Sequence, residues 1–362
     1  MVAGRVITSV IKRQVKYVQP VQAHAAADLV AAVYEQVADE MIIVVPPALL
    51  HSPAPETLAA YWSLMREPLI ASGAVDRLTK EAAAAAVSVA NICPYCVDMH
   101  SVSMYDLSTE HDAEAIVLDR IADIRDPWVR SVAAWARSAH EPGSPASSRA
   151  PFPEVMRPEL VGVVVAFHYL TRMVNVFLPS FLVPPRLGPG ARRRFKHGIG
   201  RVLRPVLREP YAAGRSLSLL PEAALPDDAA WARGNAAVAG AVARSYAVFN
   251  AAGERSLSPR VRELVRWRLE QWRGEDTGVS RRWCEDLIAE LPVAERPAGR
   301  LALLTALASY QVDEEVVDEF RRRVPDDATL IEAVAWASFA AARRVGSHHV
   351  PAVELRSHSA QR

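Results

Sequence analysis

The spacing of apolar residues predicts amphipathic helices in several stretches of the chain. Apolar positions recur three and four residues apart at 23–41, 55–72 and 127–140, the period that gives a helix one buried face. Pro46 and Pro47 are expected to end the first helix, and Pro68 is expected to kink or break the second. The alanine-rich run KEAAAAAVSVA at 80–90 predicts a helix capped by Thr79 and ending near Asn91.

The most apolar run lies at 159–183, reading ELVGVVVAFHYLTRMVNVFLPSFLV. It approaches the roughly 20 apolar residues that a membrane span needs. His168, Arg172 and Asn175 interrupt its middle, which favours a central helix buried in an α-bundle over a span. His168 has two interpretations: a core histidine with its hydrogen bonds satisfied, or a residue that faces a pocket.

A change of composition follows this run. Residues 184–215 begin with a stretch rich in Pro, Gly, Arg and Lys, which suits a solvated connector between two units. Basic runs can also neutralise phosphates, but aromatic residues are nearly absent from the stretch. The formal net charge of +1 for the whole chain gives no bulk reason to expect a nucleic acid or a membrane surface as partner.

The chain of 362 residues is long enough for two domains or one duplicated unit. Its three cysteines do not indicate a secreted disulfide scaffold, so the reducing cytoplasm is the expected compartment. Residues 1–22 alternate basic and apolar positions and lack the core of a signal peptide. They are predicted to form an arm that packs on a neighbour.

The second half resembles a degenerate copy of the first. A shift of 179 residues places Leu257 on Leu78, Arg260 on Glu81 and Trp272 on Cys93, so the copy lacks the chemistry described next. This predicts units at 23–183 and 216–362 joined by the connector. Cys284, in the second unit, has no histidine four residues later and is interpreted as an ordinary buried thiol.

The strongest chemical signal is the C-x-x-C pair Cys93 and Cys96, with His100 four residues after the second cysteine. A helix beginning at Pro94 would place Cys96 and His100 on one face, where the imidazole can accept the thiol proton. Its N-terminus would also favour the thiolate. Cys93 is then within reach to form a disulfide after oxidation.

With Glu81 twelve residues before Cys93, this spacing resembles the signature of the alkyl hydroperoxidase D-like and carboxymuconolactone decarboxylase-like superfamily. The resemblance implies an all-α, duplicated helical bundle that forms homo-oligomers. It also implies that Cys96 reacts with a hydroperoxide, Cys93 resolves the product, and His100 and Glu81 relay the proton. Tyr95 replaces a histidine found in the best-known peroxidase members, and it is a candidate pocket residue together with His168.

The functional hypothesis is a thiol-dependent peroxidase or thiol–disulfide oxidoreductase that acts on a hydroperoxide or a disulfide. The family resemblance implies a dithiol or a lipoyl-type protein as reductant. Two alternatives are a decarboxylase-like lyase or isomerase, and a non-catalytic helical oligomer. No flavin, nicotinamide or phosphate-binding motif appears, a zinc site would lack nearby ligands, and Val97 stands where c-type haem attachment needs a histidine, so no cofactor is expected.

Overall fold

The described part of the chain, residues 14–146, 149–182 and 186–351 of this computed structural model, folds into helices joined by loops. Within these residues the pairing of Ala71 with Tyr211 is an isolated bridge, and there is no β-sheet. The predicted all-α fold is therefore confirmed. The α-helices are α1 Asp28–Met41, α2 Pro46–His51, α3 Pro55–Met65, α4 Arg77–Ala90, α5 Pro94–Leu107, α6 Glu110–Val117, α7 Pro127–Arg137, α8 Arg157–Phe177, α9 Pro189–Arg208, α10 Ala236–Ser256, α11 Pro259–Gln271, α12 Arg282–Ile288, α13 Arg296–Ala308, α14 Glu314–Arg321 and α15 Asp327–Ser347.

Helix α4 begins earlier than the alanine run suggests. Its N-cap is Asp76, whose carboxylate accepts hydrogen bonds from the backbone N–H of Thr79 at 2.9 Å and from the Thr79 hydroxyl at 2.7 Å. The prediction that Thr79 caps the helix is therefore wrong, because Asp76 already satisfies the N–H groups at this end. Glu81 lies in the second turn. The end at Ala90 and the new start at Pro94 agree with the prediction.

Prolines mark the other helix boundaries in the first half. Pro46 begins the short helix α2, and Pro68 lies in a π-helical turn, Arg66–Ile70, that follows α3. The helix expected from Ala23 starts at Asp28, after a 3₁₀ turn. These departures fall at helix ends, where local capping competes with the apolar period.

Helix α8 is the centre of the fold. It packs against α15, α4 and α3, and nearly all of its residues are buried. The segment Glu154–Phe177 is long and apolar enough to cross a membrane, but 94% of its most apolar window is buried inside the protein. This is the burial of a core helix, as the polar residues in the run indicated.

The expected solvated connector contains helix α9. Its basic side chains neutralise acids of α5 and α6: the Nζ of buried Lys196 lies 3.3 Å from Asp98 and 3.1 Å from Glu114, and Arg204 reaches Asp106 at 2.5 Å. The segment is therefore packed on one side and is not a solvated linker. Pro and Gly suggested a loop, whereas the amphipathic pattern and these ion pairs stabilise a helix.

Both halves contribute to one hydrophobic core, which extends from Val18 to Val345. Helix α8 packs against α15, and α3 packs against α10, so equivalent helices of the two predicted units lie side by side. The unit boundaries remain a prediction. The predicted arm lies largely outside the described residues; at its end, the backbone N–H of Lys16 donates to the carbonyl of Phe177 at 2.8 Å.

Candidate active site

The turn between α4 and α5 places both thiols at the start of α5. Asn91 ends α4, Ile92 takes a left-handed conformation with φ of 50°, and Cys93 is the N-cap of α5. The backbone N–H of Cys93 donates to the carbonyl of Ser88 at 3.0 Å, which closes the turn. Cys96 therefore lies in the first turn of the helix, as the motif predicted.

Both cysteines are free thiols and are buried, with exposed fractions of 1% for Cys93 and 3% for Cys96. The side chain of Cys93 lies within hydrogen-bonding reach of the Cys96 thiol. Burial, this hydrogen bond and the neighbouring sulfur charge raise the pKa of Cys96 well above its usual value of 9.0. This is opposite to the lowering expected from the helix N-terminus, because loss of solvation outweighs the helix dipole.

His100 is held by Glu81 across the pair of helices. The Nδ1 of His100 and the Oε2 of Glu81 are 2.7 Å apart, and the Oε1 of Glu81 accepts a hydrogen bond from the Nε of Arg77 at 2.7 Å. Burial alone would raise the pKa of Glu81, but the charges and hydrogen bonds of Arg77 and His100 outweigh it and lower the pKa to about 2. Glu81 is therefore a carboxylate at neutral pH.

This pairing fixes the tautomer of His100. A carboxylate only accepts hydrogen bonds, so the proton of the neutral imidazole lies on Nδ1. The basic lone pair is then on Nε2. The ring is further oriented by the edge of Phe167 on α8, with ring centroids 4.5 Å apart and planes at 90°. In this tautomer the lone pair that can accept a proton lies on α5, one helical turn after Cys96.

The start of α4 is fastened to α8 by a buried ion pair. The Nζ of Lys80 lies 2.7 Å from the Glu159 carboxylate and also donates to the carbonyl of Ala71 at 2.9 Å. Glu159 in turn accepts a hydrogen bond from the backbone N–H of Ala74 at 2.7 Å. Glu81 follows Lys80 directly, so this ion pair also fixes the position of the Glu81 backbone.

Two tyrosines border the thiols. The pKa of Tyr61 is raised by burial and further by the charges of Cys96 and Tyr95, which places its hydroxyl near the second thiol. Tyr61 stacks on His51 with ring centroids 4.4 Å apart. The hydroxyl of Tyr95 donates to the Oε1 of Gln14 at 3.0 Å, and burial together with Cys96 and Cys93 raises its pKa.

His168, the other candidate pocket residue, belongs to a different cluster. Its Nδ1 accepts hydrogen bonds from Asn91 and Arg172, each at 3.1 Å, and its ring lies 5.6 Å from the ring of His140. Cys284 is fully buried, and burial is the main cause that raises its pKa to about 12. The structure thus pairs His100 with Glu81 and places Tyr95 beside Cys93 and Cys96 at the start of α5, whereas His168 and Cys284 lie elsewhere.

Sequence reasoning missed Arg77, Phe167 and Tyr61. Arg77 precedes Glu81 by four residues, a spacing that could have suggested the ion pair. Phe167 and Tyr61 reach the site from α8 and α3, and no local pattern in the sequence connects them to it. Over the residues that the structure describes, no group of three or more His, Cys, Asp or Glu residues could hold a metal ion.

Comparison with known proteins identifies the family of the chain. The carboxymuconolactone decarboxylase family matches residues 55–138, which include α3 to α7 and both thiols. A protein of Mycobacterium tuberculosis named alkyl hydroperoxide reductase is 36% identical over 333 residues, covering 92% of this chain and 94% of the relative. No solved structure matches. The chain therefore belongs to the carboxymuconolactone decarboxylase family, within the alkyl hydroperoxidase D-like superfamily.

Proposed function

We propose that this protein is a thiol-dependent peroxidase that reduces organic hydroperoxides through Cys96 and Cys93. The observation that carries the proposal is a hydrogen-bonded pair of reduced thiols in the helix that also presents a carboxylate-oriented histidine. The name of the relative from Mycobacterium tuberculosis supports peroxide chemistry.

In the first step His100 accepts the proton of the Cys96 thiol as the sulfur attacks the outer oxygen of the hydroperoxide. The O–O bond breaks, Cys96 becomes a sulfenic acid, and the departing alkoxide takes the proton from His100 and leaves as the alcohol. Because burial disfavours a preformed thiolate, proton transfer must accompany attack. Glu81 stabilises the imidazolium that forms.

In the second step Cys93 attacks the sulfenic sulfur, and water leaves with the thiol proton of Cys93. The product is a Cys93–Cys96 disulfide, so the two electrons given to the peroxide come from two thiols. A dithiol or a lipoyl-bearing protein then reduces the disulfide by thiol–disulfide exchange. We place the protein in the reducing cytoplasm, where its cysteines would remain free. Formation of a homo-oligomer remains a prediction.

The test is a count of free thiols before and after one equivalent of tert-butyl hydroperoxide. The wild-type protein should lose two of its three thiols, and Cys284→Ser, the matched control, should also lose two. The variant Cys93→Ser should stop at a sulfenic acid that dimedone traps at position 96. The variant Cys96→Ser should lose all hydroperoxide-dependent oxidation.

The same variants distinguish the alternatives. A lyase or isomerase of the decarboxylase type would keep its turnover in Cys96→Ser, because acid–base chemistry does not need the thiol pair. A wild-type protein that keeps all three thiols in the presence of hydroperoxide would overturn the proposal.

A further inference from the structure

A cavity lies next to the turn that carries the thiols. It has a volume of about 640 Å³ and is open to solvent between the α4–α5 turn, the loop after α7, the loop after α11 and the end of α13. Asn91 and Ile92 line it, but Cys93 and Cys96 do not. It is therefore separate from the redox site, although the two share the same turn.

The deepest charged group of this cavity is Arg172, which is 4% exposed. Its guanidinium donates to the carbonyl of Ala306, the side-chain oxygen of Asn91 and the backbone and ring of His168. None of these partners carries a negative charge. A buried cation without a carboxylate is unusual, because burial penalises an uncompensated charge.

Arg172 also retains donor capacity toward the cavity. Within the described residues its Nη2 makes no hydrogen bond, and the atom is not enclosed by protein. Burial lowers the pKa of Arg172 to about 9, so the guanidinium is still charged at neutral pH.

A second unsatisfied group lies beside it. His140 lines the same cavity, is 7% exposed, and its Nδ1 is buried with no hydrogen-bond partner among the described residues. Burial and the nearby Arg172 and Arg137 lower its pKa to about 4, so the ring is neutral at pH 7. Its Nε2 lies 3.6 Å from the Glu141 carboxylate and its Nδ1 is enclosed by protein, so the ring forms a neutral wall of the cavity beside Arg172. As noted above, the described histidines do not form a metal site.

The remaining charges lie at the rim and nearly cancel. Arg137 pairs with Asp119 at 3.1 Å, and Glu275 pairs with Arg268 at 3.0 Å. The other charged lining residues are Arg273, Glu141 and Asp276. Charges near the surface are screened by water and salt, whereas that of Arg172 is not. The acids at the rim would repel a ligand with two negative charges. A ligand with one negative charge is matched by the single buried cation, Arg172.

Apolar side chains form part of the cavity wall. Trp272 stacks on His140 with ring centroids 5.9 Å apart, and Leu307 and Val89 complete the wall. We propose that the cavity binds a small organic carboxylate, with its anionic group on Arg172 and its apolar body against Trp272 and Leu307. Charge-assisted hydrogen bonds to a buried guanidinium give such a site its selectivity for anions.

The test is isothermal titration of the full-length protein with 2-naphthoate and with its neutral counterpart 2-naphthamide. We expect one naphthoate per chain and at least tenfold weaker binding of the amide, because the amide lacks the charge that Arg172 needs. The variant Arg172→Met should weaken naphthoate binding about tenfold or more. Arg266→Gln is the matched control, since Arg266 lines a different cavity and lies over the Trp336 ring. This variant should bind naphthoate as tightly as the wild type does.

Arg172 also donates to Asn91 and Ala306, so Arg172→Met removes structural contacts as well as the charge. The variant Leu307→Trp keeps the cation but fills the cavity, and it should abolish binding of naphthoate while thermal unfolding stays near that of the wild type. Three results would each overturn the proposal. They are equal affinity for naphthoate and naphthamide, no binding of naphthoate at millimolar concentration, and unchanged binding in a folded Leu307→Trp. None of these measurements depends on peroxidase activity.

Discussion

The pKa values of Cys96 and Glu81 move in opposite directions although both groups are buried. Cys96 has only a neighbouring sulfur as hydrogen-bond partner, so burial dominates and its pKa rises. Glu81 lies between Arg77 and His100, and their charges overcome the same penalty. The proposed reaction therefore depends on transferring a proton from the Cys96 thiol, whose pKa is raised, to His100, whose partner Glu81 is already a carboxylate.

The substitution Glu81→Gln tests this dependence. A glutamine has almost the same shape but no charge, and its NH₂ group can face Nδ1 and favour the wrong tautomer of His100. We expect hydroperoxide-dependent thiol oxidation to fall about tenfold to a hundredfold in kcat/KM. Stopped-flow measurement of the oxidation with tert-butyl hydroperoxide gives the rate.

Glu110→Gln provides the matched control, because Glu110 also pairs with a histidine, the exposed His197, at 3.0 Å. That variant should react at the wild-type rate. If both substitutions slow the reaction equally, or if neither does, the charge at position 81 has no role in the proton transfer.

At the scale of single residues, the sequence predicted where the two thiols lie on the helix, but it predicted the wrong direction for the pKa shift of Cys96. His100 and Glu81 form a pair, and Cys93 and Cys96 lie together at the start of α5, because three of these residues lie within two turns of one helix and the fourth lies on its neighbour. Proton transfer between His100 and Cys96 stays a prediction. The raised pKa of Cys96 depends on how completely other helices cover it. No local pattern reports that quantity.

At the scale of helices, a glycine allows close contact between two helices of the second half. Gly253 of α10 lies against Trp336 of α15, and a Cβ atom at position 253 would come within 2.1 Å of the Trp336 ring. The indole is 1% exposed, so it has little room to move. The position is therefore restricted to glycine by packing and not by backbone conformation.

We expect Gly253→Ala to lower the free energy of unfolding by about 1–3 kcal/mol, the usual cost of overpacking a core. Gly198→Ala in α9 is the control, because nothing lies within 4 Å of the added methyl group. That change should stabilise the protein by roughly 0.5–1 kcal/mol, since alanine favours a helix over glycine. Urea unfolding measures both, and a destabilised Gly198→Ala or a neutral Gly253→Ala would contradict this account of the contact.

Helix α9 shows where sequence reasoning about elements fails. Its Pro and Gly content predicted a connector, whereas its amphipathic pattern and the acids of α5 and α6 stabilise a helix. By contrast, α8 was predicted correctly as a core helix from His168, Arg172 and Asn175 alone. Interactions within one element can be read from its own sequence, whereas ion pairs between distant elements cannot.

At the scale of the whole molecule, one core joins both halves and buries several histidines in the neutral form. Burial lowers the pKa of His51 to about 3, and it is the main cause that lowers the pKa values of His140 and His349 to about 4. His51 is satisfied as a neutral ring: Nδ1 bonds to the carbonyl of Pro47 at 2.6 Å, and Nε2 lies 2.8 Å from the Tyr169 hydroxyl. A second proton would reverse the Tyr169 hydrogen bond, because both ring nitrogens would then be donors and the hydroxyl would have to accept.

The stability of the protein should therefore decrease in mild acid. In the unfolded chain these histidines bind protons near pH 6.5, whereas in the folded protein they do so only below about pH 4. Their contribution is fully present above pH 6.5 and is lost as the pH falls from 6.5 toward 4, by about 1.4 kcal/mol per pH unit for each histidine. Glu81, with its pKa of about 2, adds a further loss only below about pH 4.5.

Urea unfolding between pH 7.5 and 4.5 measures how the free energy of unfolding changes with pH. His51→Gln should reduce that change by the contribution of one histidine. A stability that stays constant between pH 7 and 5 would show that these rings are already protonated, or exposed to water, in the folded protein.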